Sequence, residues 1–175
     1  MIFTGIGSRE TPTDILTLMQ DIAKRLCSEG AILRSGGADG ADTAFEAGCN
    51  SVSGKCEIYL PWLGFNNRRG ARYIPNPTTE ARAMACQLLG MDHWNRLSEG
   101  GRKLHARNMH QVLGLNLKTP SDVVVCYTSN GETKGGTGTA LKLAMKHNIP
   151  VRNLGNSQVY LNVVKWISND ECGFI

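Results

Sequence analysis

Ala31-Ile32-Leu33-Arg34-Ser35-Gly36-Gly37-Ala38-Asp39-Gly40-Ala41-Asp42 is the stretch whose reading decides the fold. Ala31 to Arg34 reads as a short strand and Ser35 to Asp42 as a glycine-bearing bend, after which Ala41, Ala44, Phe45, Gly48 and Cys49 recur at helical spacing. Strand, glycine loop and helix in that order are the unit from which parallel sheets covered by helices are built.

The same alternation runs outward in both directions. Upstream, Ile2 to Ile6 reads as a strand and Thr11 to Cys27 as a helix, with Ile15, Leu18, Met19, Ile22 and Leu26 on one face and Gly30 as the stop. Thr11 and Asp14 have capping-box spacing, and Pro12 suits a first turn. Downstream, Glu57 to Leu60 is a third strand, closed by Pro61. From Trp62 to Gly101 the pattern loosens into Gly, Asn, Arg and Pro, and is read as an insertion over the sheet edge that holds a helix at Thr79 to Leu89. Arg102 to Leu113 reads as a helix with Ala106, Met109, Val112 and Leu113 inward, and with Lys103, Arg107 and His110 on the other side. Val123-Val124-Val125 has the continuous apolar character of a central parallel strand. A second glycine loop, Thr128 to Gly138, leads to a helix through about His147, a last strand at Ile149 to Leu154, and a helical stripe of Tyr160, Val163, Val164 and Ile167. The expectation is one Rossmann-like α/β domain over residues 1–175: three layers, a mainly parallel sheet of about five strands, and helices on both faces.

Composition agrees with a folded chain: 41% hydrophobic and 19% charged residues. A net charge of +4 admits an anionic ligand but lacks the dense positive stripe of a dedicated duplex-DNA binder. Six cysteines, at 27, 49, 56, 86, 126 and 172, form no C-x-x-C pair, so they read as reduced core thiols of a cytoplasmic protein, with no metal site. No signal-peptide pattern or membrane-length apolar run is present, and no organic cofactor is expected.

Ligands of open parallel sheets lie beyond the carboxyl ends of the strands. Three loops belong there: Gly5-Ile6-Gly7-Ser8-Arg9 after the first strand, Ser35 to Asp42 after the second with Ser35, Gly36, Gly37 and Ala38 as its phosphate contacts, and Lys134-Gly135-Gly136-Thr137-Gly138-Thr139 before the penultimate helix. A glycine loop that opens a helix presents free backbone N–H groups at the positive end of a dipole, a combination suited to phosphate. Neither a G-x-G-x-x-G fingerprint with its distant acid nor a G-x-x-x-x-G-K-[ST] loop occurs. Asp39, Asp42 and Glu46 are the candidate catalytic carboxylates, able to reach a ribose hydroxyl or a reacting sugar carbon; the alternative for Asp39 or Asp42 is a helix cap. Arg34, Lys103 and Arg107 are candidate anion contacts, with a solvated helix face as the alternative for Lys103 and Arg107.

The segment from Ser35 to Asp42, followed about a hundred residues later by Gly135 to Thr139, resembles the SLOG superfamily of Rossmann-like nucleotide-binding proteins. That superfamily includes the DNA-processing protein DprA, which binds single-stranded DNA, and LOG-type phosphoribohydrolases, which cleave nucleoside monophosphates. The chain looks most like the small DprA-like proteins of bacteria and their phages. Lys134 and Lys142 stand where the LOG-type pattern P-G-G-x-G-T-x-x-E has its proline and catalytic glutamate, and Asp39 stands where the DprA-type loop is usually basic. The resemblance implies a nucleotide ligand held by phosphate, and self-association into a homo-oligomer. Three activities stay open: N-glycosidic cleavage of a nucleotide, DprA-like binding of single-stranded DNA through Arg9, Arg34, Lys103 and Arg107, and turnover-free sensing of a signalling nucleotide.

Overall fold

The structure is a computed structural model that describes residues 1–129 and 135–169. In chain order the elements are β1 (Ile2–Gly7), α1 (Thr13–Ser28), β2 (Ile32–Ser35), α2 (Ala41–Ser51), β3 (Cys56–Leu60), a 3-10 turn (Phe65–Asn67), β4 (Tyr73–Pro75), α3 (Thr79–Leu89), α4 (Met91–Arg96), α5 (Glu99–Leu113), β5 (Val123–Tyr127), α6 (Gly135–Lys146), β6 (Val151–Asn153) and α7 (Ser157–Asn169).

The strands form one parallel sheet in the order β4-β3-β2-β1-β5-β6. From β1 the chain steps outward through β2, β3 and β4, then returns to the opposite side of β1 to lay down β5 and β6. Right-handed crossovers made in opposite directions put their helices on opposite faces of a sheet. Accordingly α1 and α2 pack on one face, joined by α7, and α3, α5 and α6 pack on the other. The fold is a Rossmann-like three-layer α/β architecture.

The core follows from strand alternation. Phe3, Leu33, Ile58, Val123 and Val125 point toward the α1 and α2 side, where Met19, Ile22 and Phe45 meet them, whereas Ile6, Val124 and Cys126 point toward Met109, Val112 and Leu141. Val123, Val124 and Val125 are all fully buried, as a central strand covered on both faces requires.

One strand is added to the expected sheet, and three local expectations are corrected. The sheet has six strands, because residues 73–75 of the segment between Trp62 and Gly101 pair in parallel with β3 and extend the sheet as well as covering its edge. No capping box opens α1: Pro12 is its N-cap, and the Thr11 hydroxyl donates instead to the Ser8 carbonyl at 2.8 Å. The glycines at 135–138 lie inside the first turn of α6, not in a loop before it; residues 130–134, Lys134 among them, and Cys172 lie outside the described residues. Finally, α5 is no half-exposed helix, since Arg107 and His110 are buried along with Ala106 and Met109. It sits between α3 and α6 with the sheet beneath it, so the C-terminal half of the helix has no solvent face.

Candidate functional site

The switch point of the sheet lies between β1 and β5, the place where an open parallel sheet leaves a crevice. A cavity of about 820 Å³ occupies it, within the size range of small-molecule sites. Gly7, Ser8 and Arg9 line it from the end of β1, Ala38 and Asp42 from the bend that opens α2, and Gly136 and Thr137 from the first turn of α6. Glycine-bearing segments separated by about a hundred positions in the chain therefore share one cavity.

Tight local bonding holds these segments. The Ser8 carbonyl accepts from the Thr11 hydroxyl and, at 3.3 Å, from the Ala41 N–H at the start of α2. Gly40, with φ at +79°, makes that approach possible: a Cβ there would lie 2.7 Å from the Ser8 carbonyl oxygen. Opposite, the Asn108 amide of α5 donates to the Gly136 carbonyl at 2.9 Å, and His105 Nδ1 lies 2.9 Å from the Thr139 hydroxyl. These two contacts pin the first turns of α6 against α5. The first backbone N–H groups of any helix lack an intrahelical carbonyl, which is the ordinary basis of anion binding at a helix start, and Gly136 and Thr137 bring the first turn of α6 to the cavity.

Electrostatically the cavity is built around one buried pair. Arg107 Nη1 donates to Asp42 Oδ2 at 3.3 Å, and the same oxygen accepts from the Ala38 N–H at 3.2 Å. Burial pushes the Asp42 carboxyl above its ordinary range, against the attraction of Arg107 and the bond from Ala38. Burial also lowers Arg107, with Asp42 opposing, and nearby Arg9 adds to the lowering. Two buried donors at the cavity wall, Arg107 Nε and Gln111 Nε2, have no hydrogen-bond partner among the described residues. A buried orphan donor costs about 1–3 kcal/mol.

Of the nominated residues Gly135 opens α6, and the others separate into three groups. Gly7, Ser8, Arg9, Ala38, Asp42, Arg107, Gly136 and Thr137 line the cavity. Ser35, Gly36, Gly37, Gly138, Thr139 and Glu46 stand behind it or beside it. The Ser35 hydroxyl donates to the Gly5 carbonyl at 2.8 Å. Gly36 exists for Arg107, since a Cβ at that position would fall 1.3 Å from Arg107 Nη1. Gly37 packs under Leu60 and Arg68, and the Arg68 guanidinium binds its carbonyl. Glu46 is buried against Arg68 at 2.7 Å and accepts from the Tyr73 hydroxyl. Arg34, Lys103 and Asp39 belong to neither set. Arg34 is buried, with Nε on Glu57 at 2.7 Å and Nη1 on the Thr119 carbonyl. Lys103 lines no part of the cavity. Asp39 is exposed on the bend and does not cap α2, whose N-cap is Gly40 with no side-chain bond.

Sequence reasoning set Asn108 beside Lys103 and Arg107 as a possible anion contact but missed Glu10, His105, Gln111 and the segment from Tyr127 to Ser129; all of these but Lys103 line the cavity. The one signal shared by the missed residues is position: His105 and Gln111 lie on α5, and the others lie at or just beyond the ends of β1 and β5. Asn153 of β6 fixes the end of β5 by bonding both the Thr128 N–H and the Thr128 hydroxyl.

No family model matches the chain, and no curated protein matches it. Solved structures do. The molybdenum cofactor carrier protein of Chlamydomonas reinhardtii superposes in two structures with a TM-score of 0.54 at 18% identity, covering 97% or 94% of this chain and 85% or 82% of the carrier. DNA processing protein A of Helicobacter pylori, described in its single-stranded DNA binding mode, superposes with a TM-score of 0.55 at 19% identity over 94% of this chain and 80% of that protein. Likeness at this level of identity establishes the shared fold. No helix among the described residues is long and apolar enough to cross a membrane.

Proposed function

We propose that this protein binds a nucleotide in the switch-point cavity, with its phosphate at the first turn of α6 facing Gly7 to Arg9, and with sugar and base toward Ile6, Leu104 and Gln111. The observation that carries the reading is the convergence of the β1 loop, the α2 bend and the α6 start on one cavity whose wall holds two buried donors without partners among the described residues. Backbone N–H groups, the α6 dipole and the exposed guanidinium of Arg9 supply the attraction for a phosphate. Arg107 contributes by holding Asp42 and by its charge. The fold neighbours, one a cofactor carrier and one a binder of single-stranded DNA, agree with a site for a phosphate-bearing ligand.

Binding is the reading the geometry supports best. Of the three nominated carboxylates only Asp42 lines the cavity, and its Oδ2 is already shared between Arg107 and Ala38. Glycosidic cleavage would fall to Asp42, whose raised proton affinity suits an acid better than a nucleophile. DNA binding through four cations loses two of them, because Arg34 and Arg107 are spent in buried pairs.

Calorimetric titration with AMP, GMP, CMP and UMP tests the proposal. At least one should bind, and at about a hundred times its Kd it should stabilise the native state by about 2.7 kcal/mol. Gly136→Glu should abolish the effect by putting a negative charge at the start of α6. Silence from all four nucleotides, or binding indifferent to Gly136→Glu, overturns the reading. Incubation of the bound nucleotide followed by chromatography for released base separates turnover from binding, and a mobility shift whose affinity falls steeply with salt would favour DNA.

A further inference from the structure

A second, smaller cavity of about 240 Å³ adjoins the first, and His105 and Gly136 belong to the walls of both. They meet at the first turn of α6, where Gly136 is common to both. Gly136, Thr137 and Ala140 face the larger space, and Gly138, Thr139 and Lys142 face the smaller one, which His93 of α4 and His105 of α5 close from the far side.

The two spaces differ in charge. Among the described residues the larger cavity is balanced, Arg9 and Arg107 against Glu10 and Asp42. Among the described residues the smaller one is lined by the Lys142 ammonium and two imidazoles, with no carboxylate. Lys142 and His93 make no ion pair or hydrogen bond among the described residues, and the His93 and His105 rings stand 6.4 Å apart, nearly perpendicular. His105 turns Nδ1 to the Thr139 hydroxyl, so Nε2 remains as its second polar atom.

We propose that this lobe holds a second phosphate next to the one at the start of α6, so that the ligand is a nucleotide carrying a diphosphate. The inference rests on the reading of the larger cavity as a nucleotide site. An anion there would meet Lys142, an imidazole N–H and the flank of the α6 N-terminus together. It would also relieve a crowd of like charges. The His105 imidazole is held below its ordinary value first by burial and then by His93 and Arg107, and a bound phosphate reverses those last two influences. The lobe is under a third of the volume of the main cavity, which admits a phosphate and leaves the nucleoside where Ile6 and Leu104 can cover it.

The test is calorimetric titration of the full chain with AMP and ADP, for the native sequence, Lys142→Met and His93→Gln. ADP should bind about tenfold more tightly than AMP, as one extra charge-assisted contact allows. Lys142→Met, at an exposed position, should erase most of that preference while AMP affinity stays unchanged. Histidine proton resonances followed against pH add an independent readout: ADP should raise the titration midpoint of His105 further than AMP does. Equal affinity for AMP and ADP, or a preference for ADP that survives both Lys142→Met and His93→Gln, overturns the diphosphate while leaving the nucleotide site standing. Failure of both nucleotides to bind removes the nucleotide site itself, and the lobe with it.

Discussion

The two glycine-rich segments look alike in sequence and do opposite work. Between Ser35 and Asp42 the missing side chains let the protein fill its own interior: Gly36 admits the guanidinium of Arg107, and Gly40 lets the β1 loop touch α2. At the start of α6 the space beside Gly136 is open, because a Cβ there would meet nothing within 4 Å among the described residues. Glycine thus marks close approach in both places, to the protein's own chain in one and to the cavity in the other. The difference is set by whether another helix has a large side chain to insert.

The contrast can be broken first at Gly36. Gly36→Ala should cost about 3–5 kcal/mol, measured by urea unfolding, because Arg107 must leave Asp42 and strand a buried charge. A loss below about 1 kcal/mol would mean that Arg107 has another resting place and that the pair does not organise the bend. Gly136→Ala is the matched control: stability should hold or rise by up to about 1 kcal/mol, since alanine favours helix, while nucleotide affinity drops.

Next in size is Arg34→Gln. It removes a buried donor from Glu57 and from the Thr119 carbonyl, and should lower stability by about 1–3 kcal/mol while leaving nucleotide affinity within about twofold. A large loss of affinity without loss of stability would restore Arg34 to the ligand.

The pH dependence sharpens the same contrast. Burial lowers both His105 and His110 below their ordinary value of 6.5, so as pH falls below that value the unfolded chain takes up protons first. Stability from these two residues is therefore complete above about pH 6.5 and is lost on acidification through their folded-state midpoints. Asp42, raised by burial, works with the opposite sign at lower pH, because its protonated form is the one the fold favours. Thermal melts between neutral and mildly acidic pH should show the decline, and His105→Gln should flatten it. An unchanged slope in that variant would place the effect elsewhere.

Smallest of all is Asp39→Asn. An exposed carboxylate outside the cavity should change stability by no more than about 0.5 kcal/mol and leave binding untouched. A clear effect on affinity would bring the bend of Asp39 into the site.

Much of this molecule is legible in its sequence. Val123-Val124-Val125, the apolar face of α1 and the helix over 79–89 are local patterns, and local patterns are what periodicity reports. The β4 strand escaped notice because three residues of edge strand, Tyr73 to Pro75, carry no alternation to read. The polar side of α5 was misjudged for a different reason. Arg107 and His110 look like solvated residues on a helical wheel, and only the layers packed around them make them interior.

The site divides along the same line. Gly7 to Arg9 and Gly136 to Thr137 could be nominated from their places after a strand and before a helix. By itself the sequence determined the strand and helix alternation, the helix-start glycines and the mild positive charge, all of them short-range properties of the chain. Tertiary structure alone decided which carboxylate meets which guanidinium, because Asp42 and Arg107, like Glu57 and Arg34, are joined by burial and charge across distances in the chain that no local pattern records.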